Sequence, residues 1–407
     1  MNDRPIITSL LEQDLYKFSM TKAILHWFPG STARFDFKCR SDAKLGHLKP
    51  EIDRQLDFLC ELRFTRDELD YLQSIPWLSG DYIDYLERFY LKRDQIHTDV
   101  DGDGQLVMWA EGPWRDISFF EIPCLAIVSE ANAAYSCECL GLSPEDVEKH
   151  AEKRLHDDIQ RLKMCRLEGC EFTFADFGLR RRFCGDWHRK VVRDFAEIAP
   201  ELFVGTSDVL LAKEFGVKPI GTFAHEWLGG LQCQDFRLAN AQKAALDIWA
   251  KEYRGELGIA LSDNYGFRAF LRDFDKYFAK LFDGCRHDSG NPFIWGEMLI
   301  EHYRKLGIDP RTKIGCWSDS LNADRCVEIA RRFCGRIKVS FGVGTSITNN
   351  TGLVEPLNMV MKMTECNGHP VAKLSDAPGK GMCCDAKYVD YLKEVYQYRS
   401  IDEPMAE

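Results

Sequence analysis

Nowhere in this 407-residue sequence do about 18 apolar residues follow one another without interruption. The opening stretch MNDRPIITSLLEQDLYK carries acids where a secretory leader has a basic and then an apolar run. Neither a membrane span nor an export signal is expected, and a cytoplasmic protein with no membrane partner is the expectation. Positive charge is also short: 53 Lys+Arg against 64 Asp+Glu leave a net charge of −11, which argues against nucleic acid as a partner. An anionic substrate would therefore need a local basic focus. Sixteen cysteines are present, but none of them sits in zinc-ribbon pairs, and a chain this long does not need disulfide staples. Reduced thiols are expected, with the close pairs Cys137/Cys139 and Cys383/Cys384 read as buried apolar cysteine.

What is present describes a globular protein. Hydrophobic residues make up 45% and charged residues 29%, enough to bury a core, and the length suggests two domains or one large barrel with an addition. In STARFDFKCRS, Ala33, Phe35 and Phe37 alternate as on a half-buried strand, and PEIDRQLDFLCELRFTRDELDYLQSI repeats apolar residues at helical spacing. The spacing predicts a helix opened by Ser143 and Pro144, with Val147, Ala151, Leu155, Ile159 and Leu162 on its apolar face.

A rhythm then sets in. Seven β-rich runs end in glycine, small polar residues or acids: EFTFADFG, LFVGTSDV, VKPIGTFAHE, GIALSDNYG, LFDGCRHDSG, KIGCWSDSLN and IKVSFGVGTSITN. Helices are expected between several of them, for example over residues 207–215 and 322–334. Alternating strands and helices imply parallel pairing, and seven or eight such units favour an α/β architecture closed as a β/α barrel. The loops after the strands would gather Asp176, Ser207, His225, Asp263, Arg286, Asp288, Asp319 and Thr345 at one mouth.

Several of these loops suggest phosphate chemistry. In FGVGTSITNN, Gly342 and Gly344 let backbone N–H groups wrap an anion, and Thr345 and its neighbours add hydroxyls. The stretch is neither a Walker A loop nor a dinucleotide fingerprint, and a tight turn needs no ligand. CRHDSGN sets Arg286 two residues from Asp288; the pair could bind a carboxylate or phosphate and a ribose or magnesium, or could be an internal ion pair. In DFGLRRRFCGDWHRK, Phe177 could stack on an aromatic ring and Arg180 is the candidate anion contact, against the alternative of a solvated helical face. EQDLYKFSM, with Asp14 and Tyr16, reads as a helix start.

GTFAHEWLGG raises the sharpest question. Its His225 lacks the second histidine of a zinc-protease helix, because Gly229 stands there, and no G-x-S-x-G elbow accompanies it. A histidine that accepts a phosphoryl group is chemically sensible beside a phosphate cradle. From the residues alone, the site is one for a phosphorylated sugar or nucleotide.

Taken in order, LLEQDLYKFSM, DFGLRRRF, GTSDVLLA, GTFAHEWL, LSDNYG, CRHDSG, SDSLNADR, KVSFGVGTSITNN and KLSDAPGK resemble the bacterial nicotinate phosphoribosyltransferases, from about residue 8 to residue 385. The resemblance implies an irregular β/α barrel over residues 119–354 and an α+β domain over residues 1–118, completed by residues 355–407. It implies synthesis of nicotinate mononucleotide and diphosphate from nicotinate and 5-phosphoribosyl 1-diphosphate, coupled to ATP hydrolysis, in NAD salvage. It further implies Mg²⁺ with the diphosphate, ATP as co-substrate and a homodimer with shared active sites. His225 is the residue ATP would phosphorylate. Nicotinate would lie between Phe177 and Tyr16, the latter resembling a residue supplied by a second subunit, with Asp14 also at the substrate. Arg286, Arg180 and the Thr222 hydroxyl would hold its carboxylate. Asp263 and Asp288 suit the ribose or its magnesium, Asp319 the same mouth, and Gly342, Gly344 and Thr345 the 5′-phosphate; the metal's ligands stay unassigned. The nearest alternative is nicotinamide phosphoribosyltransferase, which places an aspartate where this chain has Ser207, with Asp208 displaced by one; serine donates to a carboxylate that aspartate would repel. Quinolinate phosphoribosyltransferase, a shorter chain without the ATP-linked histidine, and a non-catalytic nucleotide-binding relative complete the alternatives.

Overall fold

The computed structural model describes residues 4–377 and 381–403, so Pro378, Gly379 and Lys380 of the KLSDAPGK stretch lie outside the described residues. The fold is α/β, as anticipated, with one sheet of five strands and one of six. The chain falls into two compact units: residues 1–160, 175–221 and 343–362, and residues 161–174, 222–342 and 363–407. The domain boundaries expected from the sequence fall instead at 118 and 354.

The strands are β1 (Thr32–Cys39), β2 (Ile96–Val100), β3 (Leu106–Pro113), β4 (Phe172–Asp176), β5 (Phe203–Thr206), β6 (Ile259–Leu261), β7 (Gly284–His287), β8 (Ile314–Trp317), β9 (Lys338–Val343), β10 (Met359–Cys366) and β11 (His369–Pro370).

In the first unit β1, β3 and β2 pair antiparallel, with Phe35 opposite Ala110 and Ala110 opposite Ile96. Ala33, Phe35 and Phe37 are buried on one face of β1, as their alternation requires. The stretch Trp114–Leu140 is long and apolar enough to cross a membrane by composition, yet 83% of its apolar window is buried inside the protein. It is a core helix. The helix Pro144–Leu167 starts at the expected residue, with the Ser143 hydroxyl accepting from Asp146 N at 3.2 Å, and all five anticipated apolar positions are buried.

In the second unit β9, β8, β7 and β6 lie side by side, parallel, each pair joined through a helical crossover. Gly284 opens β7 because the strands touch there: a Cβ at this position would stand 2.0 Å from the Ile314 carbonyl oxygen. Trp295 and Trp317 pack edge to face behind the sheet, 5.2 Å between centroids, and the Trp295 indole N–H donates to Ser262 Oγ at 3.0 Å. The helix Ala386–Tyr396 brings Tyr396 onto Tyr265, stacked at 3.9 Å.

Of the seven anticipated strands, VKPIGTFAHE is not one. Among the described residues Pro219 makes only an isolated parallel bridge to Thr206, carried by Lys218 O and Ile220 N, and, lacking an N–H, it has nothing to donate on its other side. The helix expected over residues 207–215 is Val209–Phe215, capped by Asp208, whose carboxylate accepts from Leu210 N and Leu211 N, and closed by Gly216 in the left-handed region. The thiols are all free, but Cys139 and Cys384 are exposed, which corrects the buried reading of those pairs.

Candidate active site

Parallel strands end in loops, and in the second unit those loops assemble a charged cluster. Asp263 follows β6 by one residue beyond Ser262, and Asp288 follows β7 directly. His225 is the first residue of the short helix His225–Gly230 and is half-buried. Its Nε2 lies 2.7 Å from Asp263 Oδ1 and 3.6 Å from Asp288 Oδ2. Its Nδ1 makes no hydrogen bond among the described residues. Burial and then the Lys373 ammonium hold the imidazole below its ordinary pKa, against the pull of Asp263.

The second oxygen of Asp263 is fully engaged: Lys373 Nζ is 2.7 Å away and the Ser289 hydroxyl donates at 2.6 Å. Burial alone would raise this carboxyl, but Lys373 and His225 overcome it and hold it well below the usual carboxylate range. Asp288 accepts from Arg286 Nη2 at 2.8 Å and lies 3.5 Å from Lys373, and these cations likewise outweigh burial and depress its pKa. Arg286 Nε donates to Ser318 Oγ at 2.8 Å, in the loop after β8 that also carries Asp319. The anticipated Arg286–Asp288 pair is thus an ion pair inside a larger network. Among the described residues of this cluster, two cations, Arg286 and Lys373, face two carboxylates, Asp263 and Asp288.

Thr222 sits in the same unit, but its hydroxyl proton goes to the Ile259 carbonyl at 2.8 Å. Gly342 is buried within β9. Lys373 and Ser289 were not singled out from the sequence. A signal for Lys373 exists in PVAKLSD: a lysine among apolar and small residues is buried, here 8% exposed, only when paired.

The first unit has its own polar group. Ser207, after β5, donates to Asp14 Oδ1 at 2.6 Å, and Arg180 Nε is 3.4 Å from Asp14 Oδ2. Burial raises the Asp14 pKa despite Arg180 and Ser207. The Arg180 guanidinium stands 5.9 Å from the ring centre of buried Tyr16, whose hydroxyl has no hydrogen-bond partner among the described residues. Lys17 and Glu121 pair at 2.6 Å beside them. Phe177 follows β4, half-buried, with its N–H on the Val343 carbonyl at 2.7 Å. Gly344 precedes the single turn Thr345–Thr348, and a Cβ there would come within 3.1 Å of the Phe177 carbonyl oxygen.

Two groups of His, Asp and Glu among the described residues are close enough to share a cation, His225–Asp263–Asp288 and Glu152–His156–Asp194. Lys190 already neutralises the second at 2.9 and 3.2 Å, and Lys373 stands in the cation position of the first.

Charged and nucleophilic side chains delivered from the C-terminal ends of parallel strands define an α/β enzyme scaffold. Residues 172–400 match the nicotinate phosphoribosyltransferase (NAPRTase) family model, and residues 11–129 match its N-terminal domain. A nicotinate phosphoribosyltransferase of Chromobacterium violaceum is 48% identical over 400 residues, 97% of this chain and 98% of its own. The crystal structure of nicotinate phosphoribosyltransferase from Vibrio cholerae is similar with a TM-score of 0.91 at 36% identity, covering 97% of this chain and 94% of that one. That from Porphyromonas gingivalis is similar with a TM-score of 0.89 at 33% identity, covering 97% and 100%. The chain belongs to the nicotinate phosphoribosyltransferase family.

Proposed function

We propose that the protein joins nicotinate to the ribose of 5-phosphoribosyl 1-diphosphate, releasing diphosphate, and couples this to ATP hydrolysis through a phosphohistidine at His225. The observation that carries the coupling is the orientation of one imidazole: Nε2 is bound to Asp263 Oδ1 at 2.7 Å, and Nδ1 has no hydrogen-bond partner among the described residues. Asp263 fixes the tautomer with the proton on Nε2, and the lowered pKa keeps the ring neutral, so the Nδ1 lone pair is the nucleophile. It attacks the γ-phosphorus of ATP, ADP leaves, and the N–P bond is later cleaved by water to give inorganic phosphate. The added charge, roughly −2, stands beside Lys373 and Arg286 and would change the affinity of the site for anionic substrates and products.

In the transfer itself the pyridine nitrogen attacks C1′ as the C1′–diphosphate bond breaks, and the protein's part is positioning and charge compensation. Asp288 and Asp263 suit the ribose hydroxyls, and Gly342, Gly344 and Thr345 the 5′-phosphate. Phe177, Tyr16, Asp14, Ser207 and Arg180 suit the pyridine and its carboxylate. Thr222 enters as an acceptor, since its proton is committed. With their oxygens engaged by Lys373, Arg286, His225 and Ser289, the carboxylates do not make a resident Mg²⁺ cage. We take Mg²⁺ to arrive on the diphosphate with its own waters, as part of the substrate. A cytoplasmic setting and a homodimer belong to the same proposal.

Labelled nicotinate with 5-phosphoribosyl 1-diphosphate, with and without ATP, tests the reading. Nicotinate mononucleotide should form, faster with ATP; product from nicotinamide alone, or none from nicotinate, would refute it. His225→Ala should abolish acid-labile label from γ-phosphate ATP while slow uncoupled transfer persists. Retention of that label would move the phosphoryl acceptor elsewhere.

A further inference from the structure

His188 lies on the helix Gly185–Ile198, in the first unit, and nothing in the mechanism above uses it. Its side chain and those of Asp176 and Asp208 are entirely shielded from solvent. Nε2 donates to Asp176 Oδ2 at 2.7 Å. On the other side, Nδ1 and Asp208 Oδ2 face each other at 3.7 Å, and neither atom has a hydrogen-bond partner among the described residues. Burial pushes the Asp208 carboxyl up to about 7 against the pull of His188, so above that pH it is ionised, and a neutral ring with its proton on Nε2 would then turn one lone pair against another, at the cost that buried unpaired polar atoms carry. A doubly protonated ring presents an N–H to each carboxylate.

The two carboxylates bracket the residues proposed to meet nicotinate. Asp176 immediately precedes Phe177, and Asp208 immediately follows Ser207. Asp176 also accepts from Thr206 Oγ1 at 2.6 Å and from Gly178 N at 2.8 Å, and its carbonyl accepts from Ser207 N at 2.8 Å. Asp208 donates its N–H to Thr206 Oγ1 at 3.1 Å and uses Oδ1 to cap the helix Val209–Phe215. One imidazole therefore ties the end of β4 to the loop after β5. The helix that carries it is held by buried Trp187, Val191, Val192 and Phe195.

We propose that His188 is a buried imidazolium that acts as a positioning residue, setting the spacing between the Phe177 ring and the Ser207–Asp14 pair and thereby the affinity for the pyridine substrate. The proposal rests on the function proposed above. It touches no substrate atom itself and works as a support for groups that do. Burial opposes the charge, but Asp176 and then Asp208 outweigh it, so the imidazole pKa is raised. Arg182, the remaining nearby cation, is neutralised by Glu12 at 2.8 Å and Glu130 at 2.6 Å.

Two variants and one spectrum test this. His188→Gln keeps an amide donor for Asp176 and loses the charge. The KM for nicotinate should rise at least about tenfold, a loss near 1.4 kcal/mol, with the KM for 5-phosphoribosyl 1-diphosphate within about twofold of wild type. Asp208→Asn retains the helix cap through Oδ1 and should raise the nicotinate KM severalfold in the same selective way. Unchanged KM values, or equal rises for both substrates, would overturn the positioning role. Independently of turnover, ¹⁵N-histidine spectra of the wild-type protein at pH 7.5, assigned by loss of one signal in His188→Gln or in His188→Asn, should show both nitrogens of His188 protonated. A neutral ring would overturn the proposal. If the wild type does not use nicotinate at all, the function proposed above fails, and the spectrum still decides the state of His188.

Discussion

Lys373 brings a charge to a position 8% exposed because two carboxylates wait for it. Removing one member of such a network leaves the others buried and uncompensated, which costs about 3–5 kcal/mol. Lys373→Met should therefore lower thermal stability markedly at pH 7. The acid dependence follows from the depressed carboxyls of Asp263 and Asp288. As pH falls below their ordinary value of 3.8, the unfolded chain takes up protons before the folded one, so stability present above that pH is lost on the way down. In Lys373→Met these carboxyls are less depressed, so the difference in Tm from wild type should narrow between pH 5 and pH 3. A constant difference across that range would refute the account. The same substitution removes a cation that suppresses protonation of His225, whose ordinary pKa is 6.5. Phosphoenzyme formation in the wild type should persist below pH 6.5, and its acid limb should move upward in the variant.

At the scale of elements, close approach explains two glycines that the sequence reading did not single out. A Cβ at Gly178 would lie 2.1 Å from Thr348 Cγ2, whereas one at Gly284 would meet the Ile314 carbonyl at 2.0 Å. Overpacking of this kind costs about 1–3 kcal/mol or more. Both alanine substitutions should destabilise, but only Gly178→Ala should be eased by Thr348→Gly, since a side chain can be removed and a strand backbone cannot. Equal rescue of the two by their neighbours, read by urea midpoints, would contradict this. The long helix was legible because Ser143, Pro144 and a 3.6-residue apolar period agree. Six of seven strands were legible from β-rich runs ending in small residues. The seventh failed because its one bridge among the described residues is the isolated one at Pro219, which has no N–H to offer a second neighbouring strand.

For the whole molecule, the candidate cluster was legible in its acids, its arginine and its histidine because Asp263 and Asp288 follow strands, Arg286 lies near the end of β7 and His225 opens a helix. Lys373 was not, since it lies 85 residues beyond Asp288 in a segment first assigned to the other domain. In the structure that segment belongs to the same compact unit as residues 222–342. Its inclusion changes the electrostatics: Arg286 and Lys373 are matched by Asp263 and Asp288, and the chain as a whole carries −11. Among the described residues of this cluster the charges balance, and the net charge of the chain is negative, so neither scale favours drawing in an anion. An enzyme that steers its substrate loses on-rate steeply with salt, because the Debye length shrinks to about 10 Å at 0.1 M. This protein should not: kcat/KM for 5-phosphoribosyl 1-diphosphate at saturating Mg²⁺ should change by less than about threefold between roughly 20 and 200 mM salt. With Mg²⁺ lowered below the diphosphate concentration it should fall, because the uncompensated substrate then meets a site with no net charge to offer. A tenfold loss with salt at saturating Mg²⁺ would mean that a basic field outside the Lys373–Arg286 cluster governs capture.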